Sequence, residues 1–402
     1  MRLQKRFCTG LFIVLLILGS SVWGDLGRVT RMFNVTDLNS GAPIELVDAA
    51  TIPRIDFSKG LNLTHWFFLP VIADETMETA AYLQKWMTPT EVHSIAQAGF
   101  KHVRLPIDPD FLQPNWQSGD FQIQTERLEA IDRALDLFQA DNLGVILDLH
   151  PTRRLNLESQ PYGSDYQNIE TIWRTLSSRY RDRSQMIAYE ILNEPLVENA
   201  AVWHEMAERL VALIRQVDLS HKIIVPAHGF SGIGELLDFQ PITGDRLVYT
   251  FHFYNPLVFT HQGATWLPHY AALQNVPYPA DRIPPDTVPS LGRSQLPPET
   301  QTLWEGYQGS QFNWLSIEAQ IKRAAQWRDR YQVSLYCGEY GVHYVAPQVD
   351  RYQWHQDVST ALTNEKIGHS LWSYRGIFGL APDNQLEMDQ QLLSAIGLGT
   401  QP

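Results

Sequence analysis

Apolar positions along this chain alternate between two rhythms. Short runs rich in β-branched and aromatic residues, such as Gly144-Val145-Ile146-Leu147-Asp148-Leu149-His150 and Leu247-Val248-Tyr249-Thr250-Phe251-His252-Phe253-Tyr254, are too brief for helices and read as buried strands. Between such runs, apolar residues recur at helical spacing, as in Leu128, Ile131, Leu135 and Phe138 behind Thr125, the stripe of a helix packed on a sheet. Thr88-Pro89-Thr90-Glu91 is a capping box with proline at the first helical position, opening a helix that stops before Gly99.

Read in order, strands are predicted over 60–67, 101–106, 144–150, 187–194, 223–228, 247–254, 333–341 and 370–374. Helices are predicted near 166–180, 201–217, 312–331 and 350–363, with a short helical turn at 233–237. Eight strands alternating with helices predict an α/β fold, a (β/α)8 TIM barrel, in which strand C-termini and the loops after them build the site. The rhythm breaks between Asn255 and about Ser316, which holds Pro277, Pro279, Pro284, Pro285, Pro289, Pro297 and Pro298. A connection that long inside a compact domain is usually functional, so a long Pro-rich surface loop after strand 6 is expected. The alternative, a split into two domains there, leaves each half with an incomplete sheet.

Composition narrows the partners. At 44% hydrophobic over 402 residues the chain is able to bury a large core. Arg2, Lys5 and Arg6 precede the apolar run Leu11 to Leu18, and Ser20-Ser21-Val22-Trp23-Gly24 offers small residues for cleavage, so residues 1–24 read as a signal peptide. An uncleaved anchor is the alternative, although the run is short for a span. Residues 25–50 form a polar N-terminal extension, and 51–402 the barrel domain. The formal charge of −13 would deepen to −16 on loss of the three leader cations, since no acid precedes Asp25. Nucleic acid and acidic membrane surfaces are therefore not expected partners, whereas 12 Trp and 16 Tyr suit a ligand that stacks on rings. Cys8 lies in the leader and only Cys337 remains, excluding an internal disulfide or a cysteine zinc site in the mature chain. Asn62-Leu63-Thr64 and Asn34-Val35-Thr36 fit the glycosylation pattern, but the first falls in a predicted barrel strand.

The candidate chemistry lies in two strand-end carboxylates. Val333-Ser334-Leu335-Tyr336-Cys337-Gly338-Glu339-Tyr340-Gly341 delivers Glu339 to a turn, and Ile187-Ala188-Tyr189-Glu190-Ile191-Leu192-Asn193-Glu194-Pro195 delivers Glu194, with a proline that stops the ladder. A retaining glycosidase needs two such groups, at roughly 5–5.5 Å. Glu190 shares the face of Glu194 and is the expected structural carboxylate. Asp148-Leu149-His150 has the look of a metal motif, but no His-x-His accompanies it at strand ends, so no metal and no cofactor are expected.

The ordered set Arg104, His150, Asn193, Glu194, His252, Tyr254, Glu339 and Trp372 resembles glycoside hydrolase family 5, the cellulase and mannanase family of retaining (β/α)8 hydrolases. The resemblance runs from about Leu61 to Tyr374. It implies Glu194 as general acid/base and Glu339 as nucleophile, with Asn193 binding the 2-hydroxyl of the reacting sugar, His150 and His252 in the substrate pocket, and Trp372 as the platform under the sugar. Arg104 is expected to keep Glu339 ionised, and Tyr254 to donate to the same carboxylate. His65 and Trp66 after the first strand, and His261 and Trp266 in the long loop, are candidate substrate contacts. Most of Trp266, Tyr270, Tyr278, Trp304, Tyr307 and Trp314 are expected to form that loop's own small core.

The expectation is a secreted or periplasmic, monomeric endo-β-1,4-glucanase acting on a polysaccharide or oligosaccharide, with no membrane contact after leader removal. A β-mannanase or exopolysaccharide hydrolase with the same two carboxylates is the alternative within the family. A carbohydrate-binding protein on a retired hydrolase scaffold is the alternative outside it.

Overall fold

The computed structural model describes residues 52–68, 87–114, 121–284, 286–287, 296–381 and 387–399. The leader at 1–24, the extension at 25–50 and the Asn34 glycosylation pattern lie outside the described residues. The chain divides between Pro53 and Arg54, and every element below belongs to the unit Arg54–Pro402.

Eight parallel strands pair in sequence order and the last pairs with the first, closing a barrel. They are β1 (Lys59–Asn62), β2 (His102–Ile107), β3 (Gly144–Leu149), β4 (Ile187–Glu190), β5 (Lys222–Pro226), β6 (Leu247–Phe253), β7 (Ser334–Tyr340) and β8 (Gly368–Leu371). Every residue of β2 and of β3 is buried, as expected of strands covered by helices outside and by side chains within. The major helices are Pro89–Gln97, Thr125–Ala140, Ser164–Tyr180, Ala200–Arg215, Trp314–Tyr331 and Gln348–Asn364. The capping box opens the first: the Thr88 hydroxyl accepts from the Glu91 amide at 3.3 Å, and the Glu91 carboxylate accepts from the Thr88 amide at 2.8 Å. Its other oxygen pairs with Arg375 after β8, so one cap also ties down a loop near the barrel mouth.

Side chains on a strand alternate sides, so residues two apart share a face. Ile146, Ala188, Ile224, Val248 and Tyr336 meet Ile55 in an apolar floor. Two positions further along β3 and β4, the same face carries Asp148 and Glu190, register partners of one another, with Pro106 beside Asp148. Asn62 and Arg104 are paired the same way between β1 and β2. The barrel thus changes from apolar floor to ionic layer within one side-chain repeat.

Three expectations need correction. The first strand ends at Asn62 rather than near Phe67, because the chain turns out at His65 (φ 67°) and returns only as an isolated bridge from Phe67 to Ile107. The fourth strand ends at Glu190, which places Asn193 and Glu194 on the loop beyond it. The long connection is not structureless: it holds helices Leu257–Thr260 and Pro298–Ser310 and a 3-10 turn at Ala280–Arg282. A two-domain split is excluded by closure of one barrel across that connection.

Within the connection, buried Gln262 acts as a clasp: its amide nitrogen donates to the carbonyls of Phe259 (2.8 Å) and Val276 (3.1 Å), and its oxygen accepts from the Val276 amide (2.8 Å). Tyr278, Trp304 and Tyr307 are buried in its core. Tyr278 also donates to Asp357 at 2.7 Å, pinning the segment to the helix Gln348–Asn364.

Candidate active site

The ionic layer is centred on Arg104, whose side chain is fully buried. Nε and Nη2 donate to the two oxygens of Glu190 at 2.7 and 2.8 Å, the fork geometry that guanidinium makes with a carboxylate. Nη1 donates to Glu339 Oε1 at 2.8 Å and to Asn62 Oδ1 at 2.9 Å. Nη2 also donates to Asn193 Oδ1 at 2.8 Å and lies 3.0 Å from Asp148 Oδ2. One cation therefore faces three buried carboxylates.

That imbalance sets the protonation of the layer. Glu190 is pushed upward by burial and by Asp148, against the pull of Arg104. Glu339 goes the other way: burial alone would raise it, but the charges of His252, Arg104 and His150 and a hydrogen bond from Tyr254 bring it down to about 2. Tyr254 donates to Glu339 Oε2 at 2.7 Å, so each oxygen of this carboxylate is held by a different donor.

Glu194 sits at the edge of the cleft with its side chain 27% exposed. His252, on β6, lies between the two acids: Nδ1 is 2.8 Å from Glu194 Oε1 and 3.6 Å from Glu339 Oε2. Burial opposes the imidazolium, but Glu339 and Glu194 outweigh it and raise His252. Carboxylate oxygens of Glu194 and Glu339 and a ring nitrogen of His252 all lie within 4.8 Å of one another. Among the described residues these three are a group with the spacing to hold a metal ion. The same closeness is accounted for by the hydrogen bond from His252 to Glu194. Asp148 and His150 are engaged elsewhere, with His150 Nδ1 2.8 Å from Asp148 Oδ2 and that oxygen against Arg104.

Above this layer opens a cleft of about 640 Å³, lined among others by His65, His150, Asn193, Glu194, Tyr254, His261, Trp266, Glu339 and Trp372. Trp372 lies stacked with His150 at 5.6 Å between ring centroids. Trp266, 51% exposed, stacks on His343 at 6.3 Å and meets His261 edge-on. Burial pushes His261 and His343 down to about 4, which favours uncharged rings on this wall at neutral pH. Trp66 is the candidate that the structure removes: it is buried against Phe67 and Phe138 and belongs to the core. The turn at His65 sends that histidine to the cleft and its neighbour inward. Asn62, too, is no glycan acceptor, being buried with its amide donating to the carbonyls of Gly338 (3.0 Å) and Leu371 (3.2 Å).

Some site residues went unremarked in the sequence. Asn62 accepts from Arg104 on the neighbouring strand, and only the register reveals it. Phe68 packs on His150 at 4.1 Å and lines the cleft with Arg375 and Phe378; no periodic signal marks them. Gly341 packs against the site with no room for a side chain, since a Cβ there would lie 2.3 Å from the Trp372 carbonyl oxygen and 3.2 Å from Phe378. Gly341→Ala is expected to displace Trp372 and lower kcat/KM by roughly 10- to 100-fold, the cost of misplacing a reacting sugar by about 1 Å. Steady-state kinetics beside a thermal melt check it; a drop explained by unfolding alone would refute the positioning role.

Comparisons with known proteins bear on the family and the fold. The profile of the family described as Cellulase (glycosyl hydrolase family 5) matches residues 72–376. Endoglucanase C of Acetivibrio thermocellus is 27% identical over 350 residues, covering 85% of this chain and 98% of that protein. Cellodextrinase A of Ruminococcus flavefaciens is 27% identical over 318 residues, covering 77% and 83%. Among solved structures, the cellulose synthase subunit Z of Clostridioides difficile superposes with a TM-score of 0.67 at 22% identity, covering 85% of this chain and 99% of that one. Thermotoga maritima Cel5A with cellobiose gives 0.65 at 21%, covering 85% and 97%.

Proposed function

The chain belongs to glycosyl hydrolase family 5, and from that premise we propose that it is a retaining endo-β-1,4-glucanase in which Glu194 is the acid/base and Glu339 the nucleophile. The observation that carries the proposal is the closeness of the two acids, one oxygen of each lying within 4.8 Å of the other. That closeness supports the short carboxyl separation of a double displacement, roughly 5–5.5 Å, over the wider one that leaves room for water in a single displacement.

Each group then has one task. A sugar resting on Trp372 presents its anomeric carbon to Glu339, already ionised and held by Arg104 and Tyr254. As Glu339 oxygen bonds to that carbon, the glycosidic C–O bond breaks and Glu194 gives its proton to the leaving oxygen. The product is a glycosyl ester on Glu339. Glu194, now a base, takes a proton from water, whose oxygen attacks the same carbon and releases Glu339, so two inversions give retention. His252 Nδ1–H faces Glu194 Oε1, leaving Oε2 to carry the proton. Asn193, with its oxygen committed to Arg104, turns its amide N–H groups to the sugar 2-hydroxyl.

The β-1,4-glucan preference rests on the endoglucanase and cellodextrinase names of the relatives. The apolar run in 1–24 supports export, to the medium or the periplasm, of a catalytic domain spanning 51–402. Among the described residues no helix is long and apolar enough to cross a membrane. All the proposed catalytic groups come from one chain, so a monomer suffices. Reducing-end release from carboxymethyl-cellulose beside galactomannan tests the substrate, and proton NMR of a cello-oligosaccharide digest tests the stereochemistry. The β-anomer is expected first, and glucan is expected to be cut faster. First appearance of the α-anomer would sink the mechanism, whereas release from galactomannan alone would keep the mechanism and change the polymer.

A further inference from the structure

The catalytic cleft opens where the strands end, and a second cavity of about 610 Å³ opens where they begin. Lys59, Lys222, Ser334 and Gly368, the first residues of β1, β5, β7 and β8, all line it. It therefore lies at the opposite pole of the barrel from Glu194 and Glu339.

Its charge opposes that of the chain. The chain carries −13 in all, yet Lys59, Lys222, Arg328 and Lys366 line this cavity against a single acid, Asp56. Asp56 Oδ1 accepts from the Ser58 amide at 2.8 Å, and Arg328 is already paired with Asp329 at 2.8 Å. The lysines have no such partner. Lys222 and Lys366 make no side-chain hydrogen bond or ion pair among the described residues. Lys59 is half-buried, and its ammonium meets neutral groups: the Ser359 hydroxyl (2.8 Å), the Ile396 carbonyl (2.8 Å) and His369 Nε2 (3.0 Å). Burial and the charge of Lys59 hold that histidine down at about 3, hence uncharged.

This arrangement is costly without a counter-ion. Burial pulls Lys59 down to about 8, and burial followed by the charges of Arg246 and Arg54 lowers Lys222. Cations that depress one another around a concave surface create a potential that an anion relieves.

We propose that this cavity is a phosphate site, taking the phosphate group of a soluble ester or of a lipid headgroup, with Lys59, Lys222 and Lys366 as its cations. Phosphate oxygens suit lysine point charges and the hydroxyls of Ser58, Ser334 and Thr363, which also line the cavity. Phe57, Val248, Val333 and Ile367 give the carbon part of an ester an apolar wall. A lipid phosphate bound here would turn the cleft away from the membrane. The expectation from net charge, that acidic surfaces are not partners, averages over the whole chain and does not hold at this pole.

The test has two arms, both on the purified protein and neither dependent on the hydrolase reading. Thermal melts compare glycerol 3-phosphate with chloride at equal ionic strength, and co-sedimentation compares phosphatidylcholine vesicles with and without phosphatidylglycerol. A soluble ester should raise Tm by about 2–4 °C, and a lipid headgroup should tighten vesicle binding by about 10-fold. Either result supports the site and names its source. Lys222→Gln/Lys366→Gln should lose the effect yet still hydrolyse carboxymethyl-cellulose, whereas Lys322→Gln/Arg323→Gln, an equal charge change at exposed positions of the helix Trp314–Tyr331, should keep it. No response of the wild type to either probe would overturn the proposal. So would a response that the Lys222/Lys366 variant retains, or that both variants lose alike.

Discussion

Glu339→Gln is expected to lower turnover of β-glucan by on the order of 10⁴- to 10⁶-fold while the fold persists. The amide keeps the shape and still offers an oxygen to Arg104 Nη1, but it has no ionised oxygen to bond to the anomeric carbon. In the wild type that oxygen is available at any working pH, because the carboxylate is held down to about 2. A depressed group contributes stability above its unfolded value and loses it as pH falls through the folded one, here about 2. An acid limb in the activity profile at higher pH must therefore come from another group. Two alanine variants then separate the roles with an aryl cellobioside bearing an activated phenol. In Glu339→Ala, azide should enter the vacated space, bond to the anomeric carbon as the phenol leaves, and give the α-glycosyl azide by one inversion. In Glu194→Ala, the activated phenolate leaves unaided, Glu339 forms its ester, and azide displaces that ester to give the β-azide. NMR of the two products decides: the opposite pairing would exchange the roles of the two acids.

The barrel was legible because its two periods differ so sharply, and because two carboxylates stood at the ends of strand-like runs. Choosing between Glu190 and Glu194 was harder, since both sit in one run four residues apart. What separates them is Arg104, a neighbour on the far side of 80-odd residues of chain, which takes Glu190 in a fork and leaves Glu194 to the cleft. Trp66 was misread for a related reason: sequence gives adjacency to His65 but not the turn that sends the two rings apart. The helix Pro298–Ser310 was hidden by its own prolines, which read as a loop although proline is favoured at a first helical turn. Asn62 matched a surface modification pattern and turned out to hold the ionic layer, because a local motif carries no information on burial.

Arg104→Met is expected to be the most destabilising of these changes. Methionine fills similar space but leaves Asp148, Glu190 and Glu339 buried without their cation, a defect worth roughly 3–5 kcal/mol and a Tm lower by on the order of 5–10 °C. Arg104→Lys should also fail in large part, because one ammonium cannot meet Glu190 in a fork and reach Asn62, Asn193 and Glu339 as well. The informative variant is the double one. Glu190 is already driven toward its neutral form by burial, so adding Glu190→Gln to Arg104→Met removes the worst unpaired charge and should return part of the lost stability. It should return little activity, because Glu339 would still lack Arg104 and its value would climb from about 2 toward the ordinary carboxylate range or beyond; once it passes the group that sets the wild-type acid limb, Glu339 itself sets that limb and shifts it upward. Thermal melts and pH–rate profiles of the three proteins separate the two effects. If the double variant regained activity in step with stability, Arg104 would be a scaffold for the barrel and nothing more; recovery of stability alone would make the guanidinium the group that keeps the nucleophile charged.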